Sequence, residues 1–308
     1  MAQITAAMVK QLREMTDSPM MECKKALVEA DGDMDAAVDV LRKNGLAKAA
    51  KKAGRETNEG AVAAYISEDG KTGALVELSC ETDFVASNPK FTGFASSLAK
   101  VVADVKPADV EALLAAEMNG ETVEAELTEL IHVIGENMKI RRYEKMTAAN
   151  GFVASYIHAG GKIGVLVDVE TDVVNDEIRE MAKNVAMQAA ALKPLYTNRD
   201  EVDADYIEKE KEILTVAAKN EKPDANDKII SGMVMGRINK ELKEICLLDQ
   251  VYVKAEDGKQ SVSQYVAQVA KANNAKVAIK KFVRFETGEG LEKKEENFAD
   301  EVAKQMGM

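Results

Sequence analysis

The stretch GKTGALVE (residues 70–77) returns as GKIGVLVD (161–168), and this recurrence decides how the chain is read. Each copy follows a matching run, GAVAAYI (60–66) or GFVASYI (151–157). Two strands joined by a glycine turn is the signature of a hairpin. Past the hairpin, ETDFV (81–85) returns as ETDVV (170–174), with Ser79-Cys80 extra in the first copy and Val173 opposite Phe84. A helix follows each time. Phe91, Phe94, Ala95, Leu98, Val101 and Val102 recur at helical spacing, as do Ile178, Met181, Ala182, Val185 and Ala189. IRRYEKM (140–146) and IKKFVRF (279–285) supply a third strand to each copy. The expected fold class is α+β, with related subdomains over 56–148 and 149–285, each a small antiparallel sheet covered by helices.

The second copy is interrupted between about Arg199 and Cys246, where two charged helices flank Pro223. Ile207, Leu214, Ile230, Val234, Ile238 and Ile245 are their inward positions. This helical hairpin suits either a coiled-coil contact with a second copy of the chain or packing on itself. Past Gly288-Glu289-Gly290 a last charged helix is expected over roughly 292–305, in a C-terminal module spanning 286–308. Residues 1–45 read as three short helices. Thr5 caps the first, whose Val9, Leu12 and Met15 share a face. Ser18-Pro19 opens the second, Asp31-Gly32 stops it, and Asp33 opens the third, with Ala37, Val40 and Leu41 inward and Gly45 as its stop. Such a small unit should be an accessory module, joined by a linker over 46–58.

The 308 residues, 31% charged and 46% hydrophobic, suit a globular chain of several cores. No apolar run approaches the ~18 residues of a membrane span, and Lys10, Arg13, Glu14 and Asp17 interrupt any leader-like centre. Cys23, Cys80 and Cys246 form neither a disulfide framework nor a metal spacing, so reduced thiols and a cytoplasmic setting are expected. A net charge of −12 argues against nucleic-acid backbones as partners. The basic run Lys48, Lys51, Lys52 and Arg55 reads as a solvated helix end. A protein partner is the better expectation.

Signals of covalent chemistry are nearly absent. The two histidines, His132 on a helix and His158 at a strand end, have no nucleophile pattern or zinc spacing around them. Gly70-Lys71-Thr72 resembles the tail of a phosphate loop, but the motif's first glycine would fall on Tyr65 and a strand follows instead of a helix. No catalytic residue, metal or cofactor is expected.

Phe84 stands in a polar joint between strand and helix, whereas large aromatics are normally buried. Two readings fit. It tucks back as a staple near Phe91, or, with Asp83 beside it, it is a probe aimed at a partner, since aromatic anchors dominate binding energy. Valine at the matching place of the second copy means that the fold does not require an aromatic there.

LREMT (12–16) followed by MMECKKAL (20–27), TDFV (82–85), YIH (156–158) ahead of GVLV (164–167), GEN (135–137) before IRR (140–142), and RFETGEG (284–290) resemble the bacterial elongation factor Ts family across the whole chain, in its longer form with a helical insert. One departure is Asp17-Ser18-Pro19, where many members carry a Gly-Ala-Gly run. The resemblance implies a guanine-nucleotide exchange factor for the translational GTPase elongation factor Tu, working by binding alone. It implies that residues 1–55 form a ubiquitin-associated-like module and linker docking through Arg13, Met20, Met21 and Lys24. Thr82, Asp83, Phe84 and Val85 would form the wedge that displaces magnesium and phosphate contacts in the partner. Ile134, Gly135 and His158 would be further contacts, and the 199–246 insert a candidate surface for a homodimer. An adaptor without exchange activity and a nucleotide-using enzyme are the rival classes.

Overall fold

The computed structural model describes residues 3–291, so the expected helix over 292–305 lies outside the described residues. The first three helices are α1 (Ala6–Thr16), α2 (Met20–Glu29) and α3 (Met34–Lys52). Thr5 caps α1 and Asp33 caps α3, each side chain accepting a backbone N–H of the first turn. Val9, Leu12, Cys23, Ala26, Leu27, Ala37 and Leu41 close a small core. Three local expectations are corrected. Met15 is 56% exposed, so of the three residues on that face only Val9 and Leu12 are buried. Pro19 rather than Ser18 takes the cap position of α2, and the Ser18 hydroxyl is buried without a partner among the described residues. Helix α3 does not stop at Gly45, since the alanines and lysines that follow are good helix formers. At Gly45 the helix lies against His132, so the module is packed onto the next unit rather than strung from a long linker.

The repeat becomes two three-stranded antiparallel sheets. The first has the order β1 (Glu59–Ile66), β2 (Thr72–Cys80), β5 (Met138–Thr147). The second has the order β6 (Gly151–His158), β7 (Ile163–Thr171), β8 (Val277–Glu286). The same register shift falls at Glu77/Leu78 and at Asp168/Val169, which pairs Leu78 with Ile140 and Val169 with Ile279. Between β2 and β5 lie α4 (Asp83–Ala86), α5 (Pro89–Val105), α6 (Val110–Leu114), the short ladder β3 (Glu117–Met118) and β4 (Glu121–Thr122), and α7 (Val123–Ile134). Helix α5 covers one face of the first sheet, burying Phe91, Phe94, Ala95, Leu98 and Val102 against Ala74, Val76 and Leu78. Helix α8 (Asp176–Leu192) covers the second in the same way, with Ile178, Met181, Val185 and Ala189 against Val165, Val167 and Val169.

The other faces of the two sheets meet each other through Val62, Leu75, Met146, Val153, Leu166 and Phe285. The repeated glycines explain how close they come. A Cβ on Gly73 would stand 2.6 Å from Val153 Cγ1, and one on Gly164 would overlap Val62 Cγ1 still more. Each copy thus presses its valine into the hole left by the other's glycine. Helices α9 (Ala204–Glu221) and α10 (Asp227–Ile245) form the hairpin, with Ala218, Ile230, Val234, Ile238 and Leu242 inward and a bridge between Tyr196 and Cys246 at its base. Helix α11 (Val262–Ala272), opened by a Ser261–Gln264 capping box, returns the chain to β8. Among the described residues no helix is long and apolar enough to cross a membrane.

Candidate functional site

The centre of interest is the corner after β2. Thr82 caps the four-residue helix α4, its hydroxyl accepting from the Val85 N–H, and Asn88 caps α5 directly afterwards. Val85 and Ala86 are buried in the first core, which anchors α4 from below. Phe84 points the other way and is 85% exposed, which excludes the inward staple. Asp83 is exposed beside it, and its carboxylate has no partner among the described residues.

What holds this corner is a set of hydrogen bonds from the segment after α7. Glu136 Oε2 accepts from the backbone N–H groups of Glu81 at 3.1 Å and Thr82 at 3.0 Å, and Glu136 Oε1 accepts from the Thr82 hydroxyl at 2.6 Å. The Asn137 N–H donates to Glu81 Oε1 at 2.6 Å, while its side-chain amide donates to the Arg55 carbonyl at 2.8 Å. Burial, reinforced by the Glu136 carboxylate, pushes the Cys80 thiol up to about 12, so it stays a neutral packing group.

The bulges give the true correspondence between the copies. Leu78 matches Val169, so Cys80 matches Thr171, and both bond the carbonyl two residues on: Cys80 Sγ to Thr82 O at 3.1 Å, Thr171 Oγ1 to Val173 O at 2.8 Å. Glu81 matches Asp172, which accepts the Lys276 N–H as Glu81 accepts that of Asn137. Six residues then separate Glu81 from the Asn88 cap, but only two separate Asp172 from the Asn175 cap. The extra residues therefore lie in the corner, not at Ser79-Cys80, and they amount to α4 itself. Val173, half-buried against the second core, is not the counterpart of Phe84. The shared Glu-Thr-Asp triplets point to the wrong register because they are identical by sequence and not by pairing.

Of the other predicted contacts, Ile134 is half-buried and Gly135 exposed at the end of α7, one residue from Glu136 and so beside the corner. Arg13, Met20, Met21 and Lys24 are all exposed on α1 and α2, the methionines by 54% and 64%. Their turn is tied to the start of α5 by Lys90, which lies 2.9 Å from Asp17 and holds that carboxyl below its ordinary range. Asp17 itself adopts the left-handed cap at φ 54°, a conformation aspartate tolerates, so the Asp17-Ser18-Pro19 departure leaves the module intact. His158 belongs to the second sheet, exposed, with Nδ1 3.0 Å from the Tyr156 hydroxyl. The structure thus groups the module patch, the corner and Ile134-Gly135 around the first half, with His158 on the other.

Sequence reading missed the carboxylates. Glu77 is fully buried and accepts from Arg141 at 2.8 Å, Arg142 at 2.6 Å and the Gly288 N–H at 2.9 Å, fastening the chain after β8 to the first sheet. The available signal was the pair of arginines on β5 facing a lone acid on β2.

The family model described as elongation factor TS matches residues 81–289. The elongation factor Ts of Clostridium botulinum (strain Eklund 17B / Type B) is 53% identical over 306 residues, covering 99% of both chains. That of Clostridium perfringens (strain SM101 / Type A) is 53% identical over 306 residues, again 99% of both. That of Clostridioides difficile (strain 630) is 50% identical over 307 residues, 99% of this chain and all of the relative. This chain belongs to the elongation factor Ts family. Membership of the elongation factor Ts family places the chain in protein biosynthesis, and the family match begins at Glu81.

Proposed function

We propose that the chain is a guanine-nucleotide exchange factor for elongation factor Tu, acting by docking and without a covalent step. The observation that carries this reading is Phe84, a large ring 85% exposed on a corner whose backbone is hydrogen-bonded in place. In this account Phe84 enters the partner's nucleotide-binding domain beside its magnesium, with Asp83, Thr82 and Val85 forming the rest of the wedge. Displacing that ion removes the strongest local charge holding the phosphates. Residues 1–55 act as the ubiquitin-associated-like docking module through Arg13, Met20, Met21 and Lys24. Core subdomain 56–148 carries the corner with Ile134 and Gly135, subdomain 149–285 presents His158 to another domain of the partner, and residues 286–308 add a last contact. No cofactor or nucleic acid takes part, and the setting is the cytoplasm. The 199–246 hairpin is the candidate homodimer surface, supported by Ile213, Val216, Ile229 and Met235, all exposed on it.

Burying one phenylalanine contributes roughly 2–3 kcal/mol, which is one to two powers of ten. The remainder of the effect comes from the whole docked surface, and Phe84 directs where it acts. By linkage, a chain that weakens the partner's hold on GDP must itself be weakened by GDP to the same factor. Stopped-flow release of a fluorescent GDP from elongation factor Tu, with and without this chain, tests the reading. Faster release is expected. Unchanged release, or equal affinity of the chain for the GDP-bound and nucleotide-free partner, would leave an adaptor instead.

A further inference from the structure

We propose that Glu136 is a positioning residue that aims the Phe84 corner, a role resting on the exchange reading above. The first half of the molecule carries a turn that the second half lacks, and something must orient it. Two backbone N–H groups at its start, those of Glu81 and Thr82, converge on one oxygen of Glu136. The other oxygen takes the Thr82 hydroxyl, whose own oxygen caps α4 by accepting from Val85. The carboxylate therefore sets the first peptide planes of the helix on which Phe84 stands two residues later. Charge-assisted bonds of this kind are directional as well as strong.

The second half is the control. Ile140 and Ile279 share a register, so Asn137 matches Lys276 and Glu136 matches Ala275. Both halves keep the backbone bond from residue 137 or 276 to the acid at 81 or 172. Only the half with the added turn has a carboxylate to hold it. Gly135, at φ 92°, ends α7 in the left-handed conformation that turns the chain back toward the corner. Asn137 adds a tie to the Arg55 carbonyl, so the corner is referenced to the end of the module helix as well as to its own sheet. A corner held this way arrives at its partner already ordered, and ordering is a cost that a loose loop would meet on docking.

The test is a double-mutant cycle on the full chain, read as release of fluorescent GDP from elongation factor Tu at saturating chain concentration. Glu136→Ala is expected to slow release about tenfold, in proportion to the loss of correctly aimed corners. Glu136→Gln, which keeps one acceptor for the two N–H groups, should lose less. In a Phe84→Ala background neither change should matter further, since there is no ring left to aim. A full additional loss in that background would show that Glu136 acts independently of Phe84 and would overturn the proposal, as would undiminished release by Glu136→Ala alone. Should the alanine variant fail to fold, the same cycle with Glu136→Gln decides. Phe84→Ala having no effect is a separate result, overturning the exchange reading itself.

Discussion

At the end of β2 the chain takes six residues between Glu81 and the next helix cap, while at the end of β7 it takes two between Asp172 and its cap. Four features around these corners are shared: the bulge, the side-chain bond two residues on, the acid that receives a backbone N–H, and the long helix that follows. The shorter corner shows what the fold requires. The longer one shows what has been added, namely α4 with an exposed phenylalanine and the carboxylate that holds it. Duplication built the scaffold, and the proposed activity sits in the part that was not duplicated.

Phe84→Ala removes the ring from the longer corner and leaves the shorter one untouched. With the ring almost wholly in solvent, its removal should leave the thermal midpoint nearly unchanged, since exposed substitutions usually stay within about 0.5 kcal/mol. Release of GDP from elongation factor Tu should slow by roughly ten- to a hundredfold, the equivalent of burying one phenylalanine. A stability loss of about 3–5 kcal/mol would instead mark a core residue.

The next largest effects belong to the symmetric contact between the sheets. Gly73→Ala and Gly164→Ala each drive a methyl into a β-branched valine that has little rotamer freedom. Each should cost about 1–3 kcal/mol by overpacking, in similar amounts, with exchange falling only as far as folded protein is lost. Chemical denaturation of the two variants side by side measures this. Markedly unequal losses would mean that the two halves do not share the contact as mirror partners.

The repeat made much of this legible in advance. Repeated runs joined by glycine turns gave both hairpins, and the spacing of Phe91 through Val102 and of Ile178 through Ala189 gave both covering helices. Three things stayed hidden, each decided by contacts distant in sequence. Gly45 looks like a helix stop until His132 is seen against it. Strand pairing, not letter identity, fixes the register of the corner. Glu136 falls within the GEN run, but nothing in that run shows its role, which is defined by N–H groups more than fifty residues away. For Phe84 the sequence left two readings open, and its exposure removes the inward staple.

A second asymmetry is that the helical module packs against the first half, and one histidine reports on the packing. The His132 side chain is fully buried, with Nε2 3.3 Å from Glu22 Oε2 of α2 and, among the described residues, no hydrogen bond at either ring nitrogen. Burial lowers its affinity for a proton below the ordinary 6.5, Lys48 and Lys52 of α3 add to this, and Glu22 opposes it. The folded chain thus binds this proton less readily than the unfolded one. The histidine's contribution to stability is complete above pH 6.5 and is lost as pH falls through that value toward the folded pKa. Glu129, on the same helix, acts in the opposite sense because burial raises its carboxyl. Urea midpoints for the native chain and for His132→Gln isolate the histidine. The native chain should weaken toward pH 5.5 with a slope of at most about 1.4 kcal/mol per pH unit, and the variant should be flatter.

The smallest expected effect is the one that closes the comparison. Val173 lies in the shorter corner, half-buried against the second core, with its carbonyl held by Thr171. Val173→Ala removes two methyls at about 0.8 kcal/mol each when fully buried, so about 1 kcal/mol of stability should go at a half-buried site. Exchange at saturating concentration should not change, because this corner has no added turn, no exposed ring and alanine where the first half has Glu136. The ratio of the two kinetic losses, Phe84→Ala over Val173→Ala, measures how far function is confined to the added residues. A ratio near one would mean that both corners act only by keeping the sheets folded, and a ratio of ten or more would locate the activity in α4.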